Sequence, residues 1–107
     1  MIIIRNNIIP FKGFAAINLF GILFCRKEAK IDGITINHES IHTAQMLEML
    51  IIPYYIWYLI EYFIRLCICG SSHKAYRNIC FEQEAYNYEK EPNYLEKRKW
   101  LYWMTYL

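Results

Sequence analysis

Apolar residues fall in short β-branched runs over the first third of the chain and in helix-spaced stripes thereafter. Met1 to Ile4 opens an apolar run that stops at Arg5-Asn6-Asn7, and the asparagine pair suits a turn. Pro10 confines any strand at Ile8-Ile9 to an edge or an end. Phe14 to Cys25 is a mostly apolar run that predicts one or two strands, with Gly21 as a bulge. A charged connection from Arg26 to Gly33 follows, closed by the turn pair Asp32-Gly33. Ile34-Thr35-Ile36 reads as a short strand leading into a first helix, about Asn37 to Leu50, with Asn37 as its N-cap. In that helix Ile41, Ala44 and Leu47, with Met46, keep an apolar stripe, while Gln45 and Glu48 fall on other sides.

Pro53 suits the first turn of a second helix that runs to Gly70. It is the most apolar segment, which predicts burial in the core first, docking on a membrane surface second and a membrane span third. Glu61 and Arg65 stand four apart and predict an exposed ion pair on one side of it. Ser71 or Ser72 then caps a third helix, about His73 to Glu89. Glu91-Pro92-Asn93 ends that helix and opens a last one, in which Glu96-Lys97-Arg98-Lys99 reads as a solvated face. The sum is a single α+β domain over residues 1–107, predominantly helical: a short N-terminal β-sheet packed on about four α-helices.

Composition adds three constraints. At 107 residues the chain suits one modest core. It is 56% hydrophobic and 18% aromatic, which suits a small domain or a membrane interface and allows self-association into a homo-oligomer. The net charge of +2 is spread along the chain and argues against a nucleic-acid partner. Cys25, Cys67, Cys69 and Cys80 form no redox or zinc-knuckle spacing, so they read as reduced, buried side chains of a cytoplasmic protein, membrane-associated if the second helix meets lipid. The apolar run after Lys12 has no small-x-small cleavage site and is too short to cross a bilayer.

Specific chemistry enters at His38-Glu39-Ser40-Ile41-His42. Two histidines four apart lie one turn apart on one helical face and can share a metal ion. Glu39 follows the first of them, within reach of a water held by that metal, and zinc hydrolases use a carboxylate so placed as general base. A tetrahedral catalytic zinc needs a third protein ligand and one open position. Glu48, Glu61, His73, Glu82, Glu84, Glu89, Glu91 and Glu96 are available, and Phe81-Glu82-Gln83-Glu84-Ala85-Tyr86 offers the best helical context. Glu84 points two residues away from Glu82 around a helix, as a solvated charge or the alternative ligand. Tyr76 and Arg77 could orient a ligand or stabilise an oxyanion, but packing roles suit them better.

The pair of motifs resembles the gluzincin layout, in which an H-E-x-x-H helix is followed by a second helix donating a glutamate. In one gluzincin branch the second motif reads Glu-x-x-Ala-Asp, which sets Glu82 as ligand and puts Tyr86 where the branch has its Asp. The chain's size and order of elements resemble the minimal single-domain gluzincins. The resemblance implies a zincin-like fold, Zn²⁺ held by His38, His42 and Glu82, Glu39 as catalytic base, and a peptide or protein substrate lying along the sheet edge. The alternatives are a non-catalytic relative with a structural zinc, and a membrane-associated helical interaction protein.

Overall fold

A computed structural model describes residues 2–10 and 14–107. It has the expected α+β architecture: a three-stranded sheet followed by helices. Strands β1 (Ile2–Asn6), β2 (Ala16–Leu19) and β3 (Ile22–Arg26) are ordered β1-β3-β2, with β1 parallel and β2 antiparallel to β3. The 14–25 run thus folds back on itself as a hairpin. Phe20 and Gly21 both take positive φ, 54° and 85°, the paired left-handed geometry of a two-residue β-turn. Gly21 therefore makes the turn and is not a bulge.

Helix α1 (Gly33–Glu48) begins earlier than its sequence suggests. Asp32, whose side chain accepts from the Thr35 amide at 2.8 Å, is the N-cap, so Ile34 to Ile36 are helical rather than extended. Asn37, released from capping α1, has a different use. Its amide donates to the carbonyls of Glu89 and Glu91, each at 2.9 Å, and ties the far end of a later helix to α1.

Helix α2 (Ile52–Cys69) starts with Pro53 in its first turn and ends at Gly70, as expected, but it is not a core helix. Only 11% of its length is buried. Tyr54 and Glu61 are its buried residues, and its isoleucines face outward. Glu61 is not half of a surface pair. It accepts from Arg65 at 3.2 Å, from the Cys80 amide at 2.9 Å and from the Trp57 indole at 3.2 Å.

That Cys80 contact explains a second departure. The expected helix from His73 to Glu89 is two helices, α3 (Ser72–Asn78) and α4 (Cys80–Tyr88), broken at Ile79 with no glycine or proline present. Glu61 supplies α4 with an N-terminal carboxylate from another helix, which satisfies a free amide and complements the helix dipole. The last segment is α5 (Tyr94–Lys97) and a 3-10 turn over Tyr102–Tyr106, shorter than the single helix expected.

The core lies between α1, α4 and the C-terminal turn, where Met46, Tyr54, Ile79, Cys80, Phe81 and Trp103 pack together. Cys25 and Cys80 are buried as expected, but Cys67 is exposed on α2. Arg98 is not on a solvated face. Its guanidinium makes paired contacts to both oxygens of Glu48 (2.9 Å each) and of Glu84 (2.6 and 3.0 Å). The three side chains are 6%, 2% and 0% exposed, so Glu84 is no solvated charge either.

Candidate metal centre

Helices α1 and α4 cross so that one turn of each meets the other. The one-turn spacing of His38 and His42 brings their rings together, with Nε2 atoms 3.1 Å apart. Glu82, in the first turn of α4, sends Oε1 between them, 3.1 Å from His42 Nε2 and 3.3 Å from His38 Nε2. All three residues are buried. Three buried donors converging from two helices could hold a metal ion.

The donors fit zinc on two counts. Ligands at about 2.0–2.1 Å from a tetrahedral centre lie roughly 3.3 Å from one another, and the separations here are 3.1 to 3.3 Å. The donor set, two imidazoles and one carboxylate, is that of hydrolytic zinc sites, with a fourth position left for water or substrate.

Each imidazole is held from behind. His38 Nδ1 lies 2.9 Å from Glu89 Oε2, and His42 Nδ1 lies 2.8 Å from Gln45 Oε1. An oxygen acceptor at Nδ1 keeps the proton there and leaves the Nε2 lone pair pointing at the site. Gln45 is itself fixed, since its amide donates to the Phe81 carbonyl and to Glu84 Oε1, each at 3.0 Å. Glu82 is fixed by Tyr58, whose hydroxyl donates to Oε2 at 2.7 Å and leaves Oε1 for the site. Burial opposes ionisation of Glu82, but His42, His38 and Tyr58 override it and hold the carboxyl far below its usual range. Burial likewise opposes charge on His42, yet Glu82 beside it pushes the metal-free imidazole up to about 9.

Tyr86 stands where the resembled branch has an aspartate. Its ring packs edge-on against His38 at 4.6 Å, with the Arg77 guanidinium over the ring, 3.6 Å from its centroid, and its hydroxyl 3.0 Å from that of Tyr76. Three residues on, Glu89 sets a carboxylate against His38 Nδ1. Glu84, the alternative ligand, is turned away from the histidines into the pocket of Arg98, Tyr94 and Gln45.

A cleft of about 260 Å³ reaches two of the three donor residues, His42 and Glu82. Glu39 lines it beside His42 and Glu82, with Tyr54, Tyr58 and Tyr76 opposite. Burial raises the phenols of Tyr58 and Tyr76, so both stay protonated and able to donate. The remaining wall is β2, an edge strand, all four of whose residues line the cleft. Asn18 fastens that strand over the motif by donating to the Glu39 carbonyl at 2.9 Å and to Thr43 at 3.2 Å.

Sequence reasoning named the three converging residues and Glu39, counted Glu89 only as a possible ligand, and missed Gln45, Tyr58 and Asn18. Gln45 carries a readable signal, three residues after His42 on the same face. The other two reach the site from separate elements, and no local spacing marks them.

Removing a partner that orients a metal ligand costs about 10–100-fold in affinity. Gln45→Leu and Glu89→Leu are each expected to weaken zinc binding by that factor, read by competition with a chromogenic chelator. Unchanged affinity in both would mean the outer nitrogens play no part in holding the metal.

No protein-family model matches this chain, and neither a curated protein nor a solved structure matches it.

Proposed function

We propose that this chain is a small zinc-dependent, metallopeptidase-like hydrolase of peptide bonds, with His38, His42 and Glu82 as ligands and Glu39 as general base. The observation that carries the proposal is the convergence of three buried donor atoms, 3.1 to 3.3 Å apart, two of whose residues, His42 and Glu82, line a cleft together with the acidic side chain of Glu39. A zinc ion held by His38, His42 and Glu82 would lower the pKa of a bound water and polarise a substrate carbonyl.

The protein's own groups supply the rest. Glu39 accepts the proton of the attacking water and delivers it to the leaving amine. Tyr76, a protonated phenol in the cleft wall, donates to the carbonyl oxygen as it gains charge. β2 is an edge strand whose Asn18 carbonyl already accepts from Tyr55 at 3.2 Å, and its remaining outer groups would meet an extended peptide in the β-augmentation mode, orienting the scissile bond across the cleft. A second reading, a zinc that only clamps two helices, is favoured by the fact that the donors come from both α1 and α4.

Elemental analysis tests the metal half of the proposal. The wild type is expected to hold about one zinc per chain after equilibration with zinc, and His42→Ala to lose it. No zinc in the wild type after such loading would overturn the hydrolase and the clamp together.

A further inference from the structure

Helix α2 is built with its polarity reversed. At 100° per residue its exposed positions, from Leu59 round to Ile68, fill a continuous arc of about 180°. Ile52, Ile56, Ile60, Phe63, Ile64 and Ile68 on that arc are each more than half exposed. Pro53, Trp57, Leu59 and Cys67 complete it, and no position on it is charged. The polar side chains of the helix all lie on the other half and are partnered within the protein. Tyr54 and Tyr58 reach the metal centre, Tyr62 bonds Ser72 at 2.7 Å, and Glu61 and Arg65 pair with each other. Even the Trp57 indole N–H turns inward to Glu61, leaving its ring at the border of the arc.

We propose that the outer half of α2 docks this protein in the plane of a lipid bilayer, buried in the boundary between headgroups and acyl chains. The occupant follows from what the arc lacks. A protein partner, including a second copy, meets an apolar centre ringed by polar groups that hydrogen-bond across the rim. Here the arc is apolar from edge to edge over 18 residues, about 27 Å of helix, and offers a partner no side chain to bond apart from a thiol. Hydrocarbon asks for none.

The depth follows from the other half. The helix is long and apolar enough to cross a membrane by length and composition. Yet its inner half is packed on elements that keep Lys27, Lys30, Lys74, Lys90, Lys97 and Lys99 exposed, and these need water. A helix apolar on one side and bound to a charged domain on the other lies in the interface, immersed by about 5–10 Å. This inference does not rest on the metal centre.

Flotation of the full chain with neutral phosphatidylcholine vesicles tests it. The wild type is expected to float with the vesicles. Ile60→Glu/Ile64→Glu and, separately, Phe63→Glu should lower the partition coefficient at least about tenfold with an unchanged melting temperature, because these positions are exposed. In the wild type, bromines placed shallowly on the acyl chains should quench tryptophan more than deep ones, and Trp57→Phe should remove most of that quenching. A wild type that stays in the aqueous phase, or floats only with anionic vesicles, overturns the proposal. So does a stable dimer that the glutamates dissociate and vesicles do not bind. Equal quenching from deep bromines would replace docking with a span.

Discussion

Glu39→Gln is expected to keep zinc, fold and affinity for an uncleaved peptide while losing turnover by about 10²–10⁴-fold. The amide is close to isosteric with the carboxylate, and the metal donors are the two imidazoles and Glu82, so the ion has no reason to leave. What disappears is the proton acceptor in the cleft. The measurement is kcat on a quenched fluorescent peptide, with zinc content determined on the same samples. A wild type that binds zinc but cleaves no peptide, with Glu39→Gln indistinguishable from it, would leave the helix clamp standing. Equal loss of zinc in Glu39→Gln would instead make Glu39 part of the metal shell.

The second large effect lies away from the metal. Arg98→Ala is expected to cost about 3–5 kcal/mol of stability, the loss seen when a buried ion pair is deprived of one partner. Glu48 and Glu84 would remain buried with two negative charges and no cation between them. Glu84 would keep Tyr94 at 2.6 Å and Gln45 at 3.0 Å, and Glu48 the Leu101 amide at 2.6 Å, which soften the loss without neutralising it. Urea denaturation reads the cost directly. The triple replacement Arg98→Met/Glu48→Gln/Glu84→Gln should recover much of it, since no unpaired charge is then left inside. A midpoint unmoved in Arg98→Ala would show that water reaches these carboxylates freely.

The two halves of the chain were legible to different depths. The strand run at 14–25 and the break at Gly70 are set by local chemistry, and the elements follow them closely. The H-E-x-x-H spacing works for the same reason, because one helical turn fixes the separation of two side chains. Glu82 needed more, since its pairing with the histidines depends on how two helices cross.

The errors share a cause. Arg98 sits within four consecutive charged residues, and only its contact with Glu48, 50 positions away, takes it inside. Ile79 breaks a helix because Glu61 captures the next amide, another contact across the chain. On α2, apolar residues occupy both halves, so periodicity could not say which half faces in. Its tyrosines carry that information, because a hydroxyl needs a partner and an isoleucine does not.

The path Arg98–Glu84–Gln45–His42 also has a consequence in time. During synthesis the histidines are made first, and the 44 positions from His38 to Glu82 take the ribosome about 2–9 s at ordinary rates. Arg98 comes 16 positions later still. Until then Glu84 has no cation to hold it, and Gln45 has only the Phe81 carbonyl and an unanchored Glu84 to fix its amide. A nascent chain can therefore display its histidine pair for seconds before Glu82 exists to complete the candidate donor set.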